Sequence, residues 1–85
     1  MDAHTLTSFQ DVIDLWPTKA AFAADLHAYG DQEKLAPARE WYRRGSIPPT
    51  WFDSVLAAAE ARGFSEVTYR LLTGLYKGLT EEEAI

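Results

Sequence analysis

Apolar residues recur along this chain at helical spacing. Phe9, Val12, Ile13 and Trp16 fall at i, i+3, i+4 and i+7, one stripe down one side of a helix. Thr7 and Gln10 stand three apart ahead of that stripe, the arrangement of a capping box, and Pro17 ends the helix. Thr18 is the natural cap of a second helix over Lys19 to His27, with Phe22, Ala23 and Leu26 on one face. His27 to Asp31 reads as a turn, in which Gly30 supplies a positive φ and Asp31 is able to cap the next segment. Gln32 to Leu35 has room for one helical turn. Pro37, at a first-turn position, then opens a third helix running to Arg44 and closed by Gly45 in left-handed geometry.

The second half repeats this punctuation. Ile47 lies just outside a fourth helix whose first turn is Pro48-Pro49-Thr50, where it can staple onto Trp51 or Phe52. Phe52, Val55, Leu56 and Ala59 carry the apolar face, and Arg62 and Gly63 stop it, with Phe64 placed for the apolar contact common after such a stop. Ser65 caps a last helix with a wide stripe of Val67, Leu71, Leu72, Leu75 and Leu79. That stripe serves either burial against the first and fourth helices or a homodimer contact. Alternation at period two does not persist. The expected class is therefore all-α, a compact bundle of five short helices. It forms one domain over residues 1–80, followed by a short acidic tail at 81–85.

Charge changes this picture in one place. The net charge is −5, yet residues 34–50 sum to +3 between flanks of −5 and −3. Such a chain is a poor general binder of nucleic acid, so contact with a polyanion has to be local. A solvated helical face beside an ordinary turn accounts for the same charges. Cysteine is absent, which removes disulfides, thiolate zinc sites and thiol nucleophiles and suits a reducing compartment. No apolar run approaches the roughly 18 residues of a membrane span. Met1-Asp2-Ala3-His4 lacks the basic and apolar regions of a secretion signal, so the expected location is cytoplasmic. His4 and His27 lack partners at metal-ligand spacing, and neither a Gly-rich phosphate loop nor a Ser–His constellation is present. The expectation is a non-enzyme with no metal and no cofactor.

The strings Leu15-Trp16-Pro17-Thr18-Lys19-Ala20-Ala21-Phe22-Ala23-Ala24-Asp25-Leu26 and Trp41-Tyr42-Arg43-Arg44-Gly45-Ser46-Ile47-Pro48-Pro49-Thr50-Trp51-Phe52 carry a resemblance. Together they resemble the Cro and lambda-repressor class of helix-turn-helix regulators, closest to its short prophage-type members. The likeness spans residues 9 to about 64. It implies a helix-turn-helix within the bundle, with Ala23 as the small residue at the helix crossing and Leu26 and Trp41 holding the second and third helices together. It implies that Lys34, Leu35, Ala36, Arg39, Glu40 and Arg43 face outward on the recognition helix and its start. Thr18, Lys19 and the helix start near Thr50 would then meet phosphates. The chain departs from the pattern at His27, where a glycine is usual, in a turn to Leu35 that is about five residues longer, and at Pro37.

On that resemblance the expected partner is a double-stranded DNA operator bound by a transcriptional regulator, a repressor of prophage-like genes, associated with the bacterial nucleoid when bound. Arg39 is the candidate base reader, because a guanidinium pairs twice with guanine O6 and N7. Glu40 either accepts from cytosine N4 or pairs with a neighbouring basic residue. Arg43 and Arg44 are expected phosphate clamps, or charges that complement the helix end. Gln32 and Lys34 reach the backbone from the long turn, and Tyr42 either offers a hydroxyl to phosphate or is a surface tyrosine with no role. Trp16, Trp41 and Trp51 are expected in or near the core. The alternative is a protein-interaction module on the same scaffold that binds another regulator or RNA polymerase. An enzyme accessory or a toxin–antitoxin partner stands behind it.

Overall fold

In the computed structural model, which describes residues 6–30 and 34–84 and side chains as far as residue 78, all regular structure is helical. Helices α1 (Phe9–Ile13), α2 (Lys19–Tyr29), α3 (Ala38–Arg44), α4 (Phe52–Arg62) and α5 (Tyr69–Ala84) come in order, with a 3₁₀ turn at Pro49–Trp51 leading into α4. No strand occurs among the described residues. Over the described residues the protein is an all-α globule of five helices. Packing is densest between α2 and α4; α3 rests on α1 and α2, and α5 on α4.

The first helix ends earlier than its apolar stripe. The α-helix stops at Ile13, and i→i−3 bonds carry the chain on to Leu15 and Trp16. Pro17 explains this: its ring would clash with the carbonyl four residues back, which is that of Ile13, and it drives Trp16 out of helical geometry. The cap also shifts by one residue. Ser8 Oγ accepts from the Asp11 N–H at 3.1 Å, while the Asp11 carboxylate accepts from the Thr7 N–H and hydroxyl, both at 2.9 Å. These bonds hold the Asp11 carboxyl below its ordinary pKa. Gln10, expected to reach back to Thr7, instead donates from Nε2 to the Tyr42 carbonyl at 2.6 Å and ties α1 to α3.

Thr18 caps α2 as expected, its hydroxyl accepting from the Ala21 N–H at 3.0 Å. The helix then runs two residues beyond His27, and Gly30 has φ −98°, not a positive value. The need for glycine there is steric. A Cβ on Gly30 would lie 2.4 Å from Ser54 Cβ and 2.6 Å from the Leu26 carbonyl oxygen. Ser54, itself buried, donates its hydroxyl to the Gly30 carbonyl at 3.2 Å. The end of α2 thus closes onto α4 backbone to near-backbone.

Gly45 and Gly63 do adopt left-handed geometry, at φ 72° and 80°. In each case the next residue's N–H bonds back to a carbonyl five residues earlier, Ser46 to Trp41 and Phe64 to Ala59, the Schellman arrangement. The apolar residues after each stop are then aimed inward. Ile47 is fully buried, and Phe64 meets Trp16 edge-on with centroids 4.9 Å apart. Trp16 also packs on Phe22, Phe22 on Trp41, and Trp41 on Trp51, a chain of edge-to-face contacts through the core. Trp16 and Trp41 are buried, and Trp51 is half-buried. The last helix begins later than expected, since Thr68 and not Ser65 caps it, accepting from the Leu71 N–H at 3.0 Å. Val67 is buried in the connecting turn. The Leu79 side chain lies outside the described residues, and α5 continues through the acidic run to Ala84.

One polar network clasps this core. Asp25 on α2 accepts from the Trp16 indole N–H at 2.8 Å and from Arg62 at the end of α4. The Arg62 hydrogen bond first, with the Trp16 bond and the Arg62 charge adding to it, holds the Asp25 carboxyl below its ordinary pKa against the cost of burial. The native state therefore binds fewer protons than the unfolded chain near the ordinary carboxyl value of 3.8. Stability from Asp25 and Asp11 is complete above that value and is lost as pH falls through the lower native values. Asp25→Asn is expected to cost about 1 kcal/mol at neutral pH, a surface-pair figure because Arg62 is partly exposed. It should also flatten the acid limb of the stability profile. Urea melts between pH 3 and 7 check this; an acid limb unchanged by the substitution would mean that Asp25 does not carry it.

Candidate nucleic-acid interface

The starts of α2 and α3 meet at the surface. Lys19 and Ala20 from α2, Thr18 at its cap, Pro17 before it and Arg39 from α3 line one shallow, open depression of about 760 Å³. The α2 side is built by its cap: Thr18 is extended, and the N–H groups of the first turn precede the helical bonding ladder. The α3 side is built by Pro37, which leaves α3 only two turns and places Arg39 in the first of them. Burial of Ala38 and Trp41 at 5% and 1% exposure turns the intervening Arg39 and Glu40 outward.

The cations of this region divide by their partners. Arg43 donates to Glu40 at 2.7 Å, and Arg44 lies 3.6 Å from the other Glu40 oxygen, so one carboxylate engages both. Arg39 and Lys34 are exposed and have no ion pair among the described residues. The Lys19 ammonium sits 3.9 Å from the centroid of the Tyr42 ring. The Tyr42 hydroxyl donates to Asp14 at 3.0 Å. That bond, with burial and the nearby Asp14 and Asp11 charges, raises the phenol pKa above its ordinary value.

Thr18, Lys19 and Arg39 are thus brought together. Glu40, Arg43 and Arg44 form a separate paired cluster along α3, and Tyr42 faces back toward α1 and α2. Thr50 is exposed on the 3₁₀ turn, which the Trp41–Trp51 contact holds against α3. Gln32 lies outside the described residues. Ala36, expected on the outward face, is 6% exposed and packs into the core. Pro37 is the reason: Ala36 stands outside the helix, and its carbonyl accepts the Ala38 N–H at 2.8 Å. Leu35 is exposed instead, at 62%. Residues missed by sequence reasoning are Asp14 and Gln10, which fix Tyr42. Their signal is tertiary, since they lie 28 and 32 positions from it. Among the described residues no group of three or more His, Asp or Glu is placed to hold a metal ion. No helix among them is long and apolar enough to cross a membrane.

Comparison of the chain with protein-family models, with curated proteins and with solved structures gives no significant match.

Proposed function

We propose that the protein is a sequence-specific double-stranded DNA-binding transcriptional regulator, acting as a repressor of prophage-like genes through occupancy of an operator. The observation that carries this reading is the shared depression of Thr18, Lys19 and Arg39. A helix start and a lysine that favour phosphate lie beside an arginine, on the first turn of the next helix, that has no ion pair among the described residues. In this reading α3 enters the major groove, Arg39 reads a base edge, and α2 and the Pro49–Trp51 turn address the backbone. The +3 segment within an acidic chain supports a single docking face. Such a regulator is not an enzyme and needs no cofactor.

Selection of bound fragments from a genomic DNA pool, read by sequencing, tests this. Enrichment of a common, pseudo-palindromic sequence is the expected result, with half-sites about one helical turn apart if the chain dimerises through α5. Retention of no fragment at low salt overturns it. A second reading, a protein-interaction module, draws on exposed Tyr29 and Leu35, at 56% and 62%, one at the end of α2 and the other in the segment leading to α3.

Glu40 gives an independent check. Glu40→Gln releases Arg43 and Arg44 and is expected to tighten duplex binding about two- to fivefold at low salt, equally for all sequences. A change of sequence preference without that gain would instead identify Glu40 as a base-edge acceptor. Binding titrations on cognate and scrambled duplexes separate the two.

A further inference from the structure

We infer that Tyr42 is a positioning residue for Lys19: its ring holds the ammonium at the rim of the depression that Arg39 also lines, so that the two cations meet a phosphate backbone as a prearranged pair. This rests on the DNA-binding reading above. The Lys19 Nζ stands 3.9 Å from the Tyr42 ring centroid, well inside the roughly 6 Å reach of a cation–π contact.

The ring is a fixed platform. Tyr42 comes directly after buried Trp41 on α3, its carbonyl accepts from Gln10 Nε2 at 2.6 Å, and its hydroxyl donates to Asp14 at 3.0 Å. Both partners come from α1 or the turn after it, so the α1–α3 contact sets the ring's place and α2 supplies the lysine. Three helices converge on one ammonium.

An aromatic partner matters because of what it leaves unspent. A carboxylate would also hold Lys19 but offset its charge, as the one Glu40 carboxylate partly does for Arg43 and Arg44. An aromatic face restricts the side chain and leaves the full positive charge facing solvent. Lys19 has no ion pair among the described residues. A long side chain ordered before contact loses less entropy on binding. Tyr42 therefore contributes to polyanion binding through Lys19, without touching the polyanion.

The test is a double-mutant cycle on the full chain, read by titration of a mixed-sequence duplex of about 20 base pairs at low salt. Tyr42→Phe keeps the ring and is expected to bind within about twofold of the parent. Tyr42→Leu removes the ring and is expected to lose about two- to fivefold. Lys19→Met should lose at least as much, and adding Tyr42→Leu to it should cost nothing further. Proton NMR supplies a readout independent of DNA. The Lys19 Hε protons should be shifted upfield by the ring in the parent and in Tyr42→Phe, and should return to the free-lysine position in Tyr42→Leu. Multiplying losses in the cycle, a Tyr42→Phe loss equal to that of Tyr42→Leu, or unshifted Hε protons in the parent would each overturn the role of Tyr42. If the parent chain does not bind the duplex at all, the DNA-binding reading itself falls.

Discussion

Gly30→Ala is expected to be the most destabilising small change in this protein, costing about 3 kcal/mol. The added methyl would stand 2.4 Å from Ser54 Cβ and 2.5 Å from Ser54 Oγ. Ser54 Cβ is anchored on the backbone of α4, so relief requires α2 and α4 to part along the most extensive contact in the fold. That would loosen the buried neighbours Leu26 and Val55 and strain the Ser54 hydrogen bond to the Gly30 carbonyl. In a domain of this size each kcal/mol moves the melting temperature by about 4–8 °C. A drop of more than about 10 °C in a circular-dichroism melt is therefore expected. Gly74→Ala is the internal control. Its Cβ meets nothing within 4 Å in the middle of α5, and the change should stabilise by about 0.5–1 kcal/mol through helix propensity. If Gly30→Ala melted like the parent, the close approach of α2 to α4 would not exist as described.

Arg39→Ala is expected to abolish preference for the cognate site while weak, salt-sensitive binding persists. A guanidinium paired twice with a guanine edge contributes about 1–3 kcal/mol of discrimination, which is roughly five- to 150-fold in relative affinity. Arg39 is suited to this because no carboxylate among the described residues competes for it, and because α3 presents it from its first turn beside the α2 start. The side chain is exposed, so the fold should be unaffected and the melting temperature should stay within about 2 °C of the parent. The measurement is the ratio of affinities for the selected sequence and a scrambled duplex. A ratio equal to that of the parent would remove Arg39 from the reading role. A loss equal for both duplexes would make it a phosphate contact.

These two residues show how unevenly the chain declares itself. The five helices, the stops at Gly45 and Gly63 and the burial of Trp16 and Trp41 are legible in the sequence, because each rests on local sterics or on apolar periodicity. The end of α1 is masked by its own stripe: Trp16 keeps the apolar phase after the helix has stopped, since a 3₁₀ continuation drifts little in three residues. Gly30 reads as a turn glycine because glycine marks positive φ and close approach alike. Which of the two applies depends on Ser54, 24 residues away. Ala36 fits the helical register in sequence, but Pro37 breaks that register and turns it inward.

The candidate site divides in the same way. Thr18 as a cap and Arg39 as an outward residue depend on neighbours within a turn. The sorting of cations does so only in part. Arg43 and Arg44 share Glu40 through contacts three and four residues apart, a pairing legible as one alternative. Lys19 over Tyr42, Tyr42 on Asp14 and Gln10 on Tyr42 each join different elements, and only the packing of α1, α2 and α3 brings them together.

By itself the sequence determined an all-helical chain, its stops, most of its core and the position of its one basic segment. Those are properties of backbone sterics and of periodic burial, which act over a few residues. The tertiary structure alone decided that Lys19 and Arg39 share a depression, that Lys19 lies over the Tyr42 ring, and that Gly30 is a contact point between helices. Those depend on distances across the fold, which no local spacing encodes.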